Sequence, residues 1–224
     1  NRAQFGPHED FVCYPRDLEK DLRLLREVDA DIVFIPSEES MYPQGFESQI
    51  DVGSITDKLE GKYRKGHFNG VATVVLKFFN IVKPDRVYFG QKDGQQLAVI
   101  NKMIKDLDLR VGLVVVPTRR DTKGLAISSR NVNLTTEQRN AAKVIYQALS
   151  KTKILYQSGV VKSCLLKAAV KEALHGESLI SSVDYVSVAD PVTLEELDKV
   201  GNIAMVSMAV HIGGIRLIDN VIIG

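Results

Sequence analysis

The sequence feature that most constrains the fold is an alternation of strand and helix patterns, clearest between residues 86 and 109. A β-branched and aromatic run from Arg86 to Phe89 ends at Gly90, and a helical apolar pattern begins at Leu97. Strands and helices that alternate at these lengths predict a parallel sheet with helices on both faces. In such a sheet, ligands bind in the crevice beyond the carboxyl ends of the strands.

The residues upstream of this unit indicate further elements of the same sheet. Asp17 is expected to cap a helix, and the apolar run Ile32–Ile35 suits a buried parallel strand. A second, short strand is expected at Gln49–Val52. We therefore predict a doubly wound, parallel, Rossmann-like α/β domain of the nucleotidylyltransferase type in residues 1–118.

The pattern after residue 118 is that of a second, smaller α+β domain, which we assign to residues 119–224. A helix is expected from Ser158 to His175, and apolar runs predict strands in the last third of this segment. The pairs Gly213-Gly214 and Asp219-Asn220 are interpreted as turns between those strands.

Composition excludes several classes of function. The chain has 224 residues, 45% of them apolar and 25% charged, as is ordinary for a globular protein. Its net charge of +1 does not indicate the large basic surface that binds nucleic acid. No apolar run approaches the roughly 20 residues of a membrane span. Cys13 and Cys164 lack the spacing of a zinc site and are interpreted as packing residues. No metal-ligating residues are assigned, and a reducing compartment is expected, which is the cytoplasm or an organelle after import, with the cytoplasm as our prediction.

The polar residues that follow Gly90 are candidates for anion binding. A helix that begins there offers free N–H groups, Lys92 supplies a cation for a phosphate, and Asp93 can approach a metal ion. A turn whose charges are merely solvated is an equally good interpretation of this stretch alone. The common phosphate-loop, dinucleotide and hydrolase motifs do not occur in the chain.

A second candidate group is Ser128-Ser129-Arg130, whose two hydroxyls and guanidinium can follow charge that develops on phosphate oxygens. The alternative is a solvated loop. Gln4 and Gln96 carry amides that can hold a small polar acid, although lone glutamines are usually surface residues. Arg64 and His67 can steer anions, and a solvated basic loop explains them as well.

Taken together, these sequence motifs indicate one protein family far more specifically than any single motif does. They occur in the order and spacing of the pantothenate synthetase family, which the chain resembles over essentially its whole length. The segments that carry the resemblance are Asn1-Arg2-Ala3-Gln4-Phe5, Tyr14-Pro15-Arg16, Gly66-His67-Phe68-Asn69-Gly70-Val71, Phe89-Gly90-Gln91-Lys92-Asp93-Gly94-Gln95-Gln96, Gly124-Leu125-Ala126-Ile127-Ser128-Ser129-Arg130-Asn131 and Arg216-Leu217-Ile218-Asp219-Asn220.

The resemblance implies an activity, cofactors and partners. Members of that family are related to class I aminoacyl-tRNA synthetases, and they condense pantoate with β-alanine through a pantoyl-adenylate. They use ATP with Mg²⁺ and release AMP and pyrophosphate. The resemblance also implies a homodimer formed through the larger domain, and a mobile loop of the KMSKS type at Ser128-Ser129-Arg130.

The resemblance further implies a role for each matching residue. Gln4 and Gln96 would hold pantoate, with Gln4 also near the β-alanine site. Lys92 and Arg130 would neutralise phosphate charge, and Ser128 and Ser129 complete the catalytic group. The residues implied to contact ATP are Gly90, Gln91, Lys92, Asp93, the backbone at Arg119, Ile127, Ser128, Ser129 and Arg130.

The sequence departs from the family at three places. Arg2 stands where the family usually has proline, and Gly94 where it often has an aromatic residue, so a looser turn is expected around each. The HxGH motif, whose histidines bind ATP phosphates in the family, does not occur in the chain. By resemblance it belongs upstream of Asn1, with roughly two βα units of about 30 residues each. The chain taken alone is therefore expected to be an incomplete enzyme.

Two other functions remain open. The first is another nucleotidylyltransferase, which would transfer AMP to a different acid or to a phosphate. The second is a non-catalytic module that binds a nucleotide or mediates dimerisation.

Overall fold

The computed structural model describes residues 1–7, 9, 11–12 and 14–224, and its first half contains a parallel pair of strands with helices around it. The helices before the first strand are α1 (Leu18–Glu27), α2 (Glu38–Met41), α3 (Leu59–Tyr63) and α4 (His67–Val82). They are followed by β1 (Arg86–Gly90), α5 (Gly94–Asp106) and β2 (Gly112–Val116). Strands β1 and β2 are parallel, with Arg86 opposite Gly112, so both carboxyl ends lie at one edge.

The second half contains three helices and an antiparallel sheet. Its elements are α6 (Thr136–Ala141), α7 (Lys143–Gln157), α8 (Ser163–His175), β3 (Ile180–Ala189), β4 (Ala204–Ile212) and β5 (Ile215–Ile223). The strand order is β3-β4-β5, and the tight turn between β4 and β5 is made by Gly213 and Gly214, both at positive φ. Eight of the nine β4 residues are buried because helices α7 and α8 pack on the sheet and the first half covers its other face.

Two apolar cores correspond to the two halves. One is built on α7, α8 and the antiparallel sheet, and the other on α4 and α5. The second of these also includes Leu194 and Met205, which come from the C-terminal half. The domain boundary after residue 118 stays a prediction. The two separate cores support it, although these two side chains of the second half pack in the core of the first half.

The predicted strand at Ile32–Ile35 is wrong. The segment belongs to no helix or strand, and its four side chains are 41–88% exposed. In the described part of the chain no strand pairs with it, and an apolar run cannot form a strand without a partner for its backbone. The strand predicted at Gln49–Val52 is also absent, because the N–H of Ile50 donates to the Thr73 hydroxyl at 2.9 Å rather than to a neighbouring strand.

Three other expectations need correction. Asp219 and Asn220 do not form a turn but lie within β5, where both are buried. The helix expected from Ser158 begins five residues later, because Gly159 adopts a left-handed backbone conformation that ends the preceding helix. Cys164 is exposed rather than packed, and Cys13 lies outside the described residues. Within the described ranges, no helix has both the length and the apolarity that crossing a membrane would require.

Candidate active site

A cleft of about 540 Å³ lies between the two halves, and we call it the main cleft. One wall is the turn that joins β1 to α5. The opposite wall combines the loop before α6 with strands β3, β4 and β5. The predicted site residues that line the main cleft are Lys92, Asp93, Gln96, Ser128 and Arg130.

The turn at the carboxyl end of β1 follows directly from its sequence. The strand stops at Gly90, one 3-10 turn covers Gln91–Asp93, and α5 starts at Gly94. The ammonium of Lys92 lies 3.4 Å from the Asp93 carboxylate, and the Lys92 side chain is only 19% exposed. A half-buried cation at the start of a helix is well placed to bind a phosphate.

Gly94 does not loosen this turn, contrary to expectation. Its backbone is helical, and the residue is buried. A Cβ atom at this position would lie 2.5 Å from the sulfur of Met205 and 3.1 Å from the side-chain nitrogen of Asn220. The space beside the turn is therefore already filled by side chains from β4 and β5.

The loop on the opposite wall, residues 119–130, is folded back on itself. Arg120 and Ala126 form an antiparallel bridge, and the N–H of Ile127 donates to the Arg119 carbonyl at 2.9 Å. Ser128 caps the 3-10 turn that follows, where its hydroxyl accepts from the N–H of Arg130 at 3.3 Å. The loop is thus structured rather than merely solvated.

Tyr14 contacts the tip of this loop. The Ser129 hydroxyl donates to the Tyr14 hydroxyl at 2.8 Å, and the Arg130 guanidinium lies over the Tyr14 ring at 5.5 Å. Ser129 consequently faces Tyr14 and does not line the main cleft, whereas Ser128 and Arg130 do.

The two glutamines lie in different cavities. Gln96 lines the main cleft, and its side chain makes no hydrogen bond to any described residue, so its amide can bind a ligand. Gln4 lines a second cavity of about 410 Å³, where its side-chain oxygen accepts from the Asn1 amide at 3.1 Å. His67 lines both cavities and separates the two glutamines. Besides Gln4 and Ser129, the predicted site residues that do not line the main cleft are Gly90, Gln91, Arg119 and Ile127.

Arg64 and His67 are half-buried or buried rather than solvated. Arg64 forms a two-point ion pair with Glu9, and the ring Nδ1 of His67 lies 2.7 Å from the Gln4 carbonyl. Burial lowers the pKa of His67, and the charge of Arg64 lowers it further. Burial alone would raise the pKa of Glu9, but the hydrogen bond and charge of Arg64 hold it below its ordinary value. The charge of Arg64 thus favours the charged form of Glu9 and disfavours that of His67.

A charged cluster that also lines the main cleft was given no role from the sequence, although Arg216 belongs to a segment that carries the family resemblance. Arg216 donates to both oxygens of Glu60, at 2.5 and 2.9 Å, and to Asp184 at 2.7 Å. His211 also lies 3.2 Å from Asp184, and Tyr185 donates to Glu60 at 2.8 Å. Burial and the charge of Glu60 raise the pKa of Tyr185 well above its ordinary value. This cluster joins α3 to the antiparallel sheet through residues far apart in sequence.

The described residues do not form a metal site from protein side chains alone. Among residues 1–7, 9, 11–12 and 14–224, no three side chains of His, Cys, Asp or Glu type are grouped as a metal site requires. His175 is exposed, with its Nδ1 2.7 Å from the Lys171 carbonyl, and His8 lies outside the described residues.

Comparison with known proteins decides the family. The pantoate-beta-alanine ligase family profile matches residues 1–222, nearly the whole chain. The chain belongs to the pantoate-beta-alanine ligase family. A pantothenate synthetase from Chloroflexus aurantiacus is 52% identical over 221 residues, which cover 98% of this chain and 78% of that protein. One from Carboxydothermus hydrogenoformans is 49% identical, with coverage of 100% and 79%.

Solved structures of the family agree with the fold. Pantothenate synthetase from Thermus thermophilus superposes with a TM-score of 0.95 at 44% identity, covering 99% of this chain and 80% of that one. A pantoate-beta-alanine ligase from Francisella tularensis, complexed with β,γ-ATP and β-alanine, gives a TM-score of 0.76 at 35% identity, covering 99% and 76%. The predicted nucleotidylyltransferase-type α/β fold with a smaller second unit is confirmed, as is the resemblance to this family of enzymes.

Proposed function

We propose that the protein joins pantoate to β-alanine through a pantoyl-adenylate, using ATP and releasing AMP and pyrophosphate. The observation that carries this proposal is the meeting of Lys92, Gln96 and Arg130 in one cleft of a chain that belongs to the pantoate-beta-alanine ligase family. The Francisella relative, complexed with β,γ-ATP and β-alanine, supports the choice of nucleotide and amine.

In the first step, a carboxylate oxygen of pantoate attacks the α-phosphorus of ATP, and the bond to the β-phosphate oxygen breaks to release pyrophosphate. Lys92 and Arg130 would stabilise the charge that develops on the phosphate oxygens, from opposite walls of the cleft. Ser128 would add a hydroxyl, and Gln96 would hold pantoate through its amide. Such a reaction depends on positioning and charge stabilisation more than on a protein nucleophile.

In the second step, the amine nitrogen of β-alanine attacks the acyl carbon of the adenylate. An amide bond forms, AMP leaves, and the nitrogen loses its proton. Gln4 and His67 line the second cavity, and because His67 also lines the main cleft, we assign the approach of the amine substrate to this side. This step needs mainly proximity, because the mixed anhydride is already activated.

The residues at the turn fit the Mg²⁺ that accompanies ATP. Asp93 lines the main cleft with a side chain that is 46% exposed. Mg²⁺ needs few protein ligands when substrate phosphates bind it too, so one carboxylate suffices. Bound there, the ion would add positive charge beside Lys92.

The test is incubation of the full-length protein with pantoate, β-alanine, ATP and Mg²⁺. Pantothenate, AMP and pyrophosphate are expected in equal amounts, and exchange of labelled pyrophosphate into ATP is expected with pantoate alone. Formation of ADP and phosphate would rule out the adenylate. Exchange driven by other acids but not by pantoate would favour another nucleotidylyltransferase, and nucleotide binding without turnover would favour a non-catalytic module. The homodimer and the cytoplasmic location stay predictions.

A further inference from the structure

Asp219 and Asn220 are two buried polar residues in the middle of strand β5, each about 3% exposed. They lie opposite Met208 and Ser207 of β4. A buried carboxylate and a buried amide in a strand need specific partners, because an unpaired polar group in the interior costs free energy. The partners of both residues are the two segments that form the walls of the main cleft.

Asn220 holds the turn that carries Lys92. Its side-chain nitrogen donates to the carbonyls of Gln91 and Lys92, at 2.8 and 2.9 Å, and its oxygen accepts from the Gln91 amide at 2.8 Å. Both donors and the acceptor are therefore used on a single 3-10 turn. Only an amide can make this set of bonds, since a carboxylate has no donor and a hydroxyl has one.

Asp219 holds the loop on the opposite wall. Its two oxygens accept from the two terminal nitrogens of Arg120, at 2.5 and 3.0 Å. The same guanidinium donates to the Gly124 carbonyl at 3.1 Å and lies 3.8 Å over the Tyr146 ring. The base of the loop is thus fixed to β5 by a paired and largely buried charge.

We propose that Asp219 and Asn220 are positioning residues, which set the distance between the Lys92 turn and the Ser128–Arg130 loop. Successive side chains of a strand point to opposite faces, so one strand can hold the turn with one residue and the loop with the next. The proposal rests on the proposed function, because it takes both segments to contact ATP. Neither residue touches the nucleotide in this scheme.

A purely structural role is the competing explanation, and stability alone cannot separate the two. Replacing a buried ion pair by apolar side chains is often neutral or stabilising, so a strand of this kind does not need Asp219 in order to fold. A positioning role differs from a structural role in the rate of adenylation. A displacement of about 1 Å of the reacting groups lowers that rate by up to about 100-fold.

The test compares Asn220→Ala and Asn220→Asp with Val221→Ala. Val221 is the next residue of β5, packs against the C-terminal core and does not line the main cleft, so its variant loses stability alone. Both Asn220 variants are expected to lower pantoate-dependent exchange of pyrophosphate into ATP about 10- to 100-fold per folded molecule. The KM values for ATP and pantoate should change much less, and Val221→Ala should keep its rate.

Amide hydrogen exchange provides a readout that does not depend on turnover. Asn220→Ala should speed exchange at residues 91–94, and Asp219→Asn should speed it at residues 119–130, with neither effect in Val221→Ala. If wild-type protein shows no pyrophosphate exchange, the proposed function fails, and unchanged protection in the variants separately overturns the positioning role. Rates in Asn220→Asp equal to wild type would also overturn it, since only the shape of the side chain would then matter.

Discussion

The two walls of the main cleft are proposed to bind ATP together, but different kinds of interaction hold them in place. The Gly90–Asp93 turn lies between a strand and a helix and is held to β5 by neutral hydrogen bonds from Asn220. The loop at 119–130 has no such frame, and an ion pair between Arg120 and Asp219 ties it to the same strand. Its Ile127 is 59% exposed. In this protein, hydrogen bonds hold the turn that regular structure frames, and a charged contact holds the loop.

The largest effect is expected where that charged contact is removed. Arg120→Met keeps an apolar stem over Tyr146 but leaves Asp219 buried and unpaired, so the free energy of unfolding should fall by about 3 to 5 kcal/mol. Denaturant unfolding measures the change. The matched control is Arg119→Met, because that exposed neighbour makes no ion pair with any described residue and should change stability by less than about 0.5 kcal/mol. Equal losses in both variants would show that the ion pair does not fix the loop.

The next effect concerns the turn. Lys92→Ala should slow formation of the adenylate about 10²- to 10³-fold, because the cation would act mainly in the transition state. ATP binding should weaken far less. Single-turnover adenylation and equilibrium titration with ATP separate the two quantities. A loss of affinity that matches the loss of rate would mean that Lys92 contributes uniform binding instead.

A smaller effect is expected at Gln96, in the first turn of α5. Gln96→Ala should raise the KM for pantoate about tenfold and leave kcat nearly unchanged, since an amide that binds ground and transition states alike contributes uniform binding. Gln95→Ala is an informative contrast. The Gln95 amide is buried and bonds Glu60, Ile55 and Lys58, so its loss should lower stability rather than pantoate affinity. An unchanged KM in Gln96→Ala would remove this residue from the pantoate site.

The smallest effect separates the two serines of the loop. Ser128 lines the main cleft, whereas the Ser129 hydroxyl donates to Tyr14. Ser128→Ala should therefore slow adenylation about tenfold, and Ser129→Ala only about threefold, near the value of one exposed neutral hydrogen bond. Tyr14→Phe removes the same hydrogen bond from the other side and should match Ser129→Ala. If Ser129→Ala is the slower enzyme, the loop must rearrange when ATP binds.

The same contrast explains what could be predicted from the sequence. Local signals were sufficient for the turn, where a β-branched run, a glycine and a helical period follow one another. Partners distant in sequence were not predictable. Asp219-Asn220 has the composition of a turn, yet both residues pair with β4, and their side chains contact residues 99 and 129 positions away. Ile32–Ile35 has the composition of a strand, but no strand within the described residues pairs with it.

Leu194 and Met205, which pack in the core of the first half, have a consequence for synthesis. A ribosome adds about 5–20 residues per second, so these two side chains emerge several seconds after residue 118. Until then the core around Phe68 and Ile100 lacks two of its apolar members. Until both have emerged, the apolar surface that they cover in the folded protein is exposed in the nascent chain.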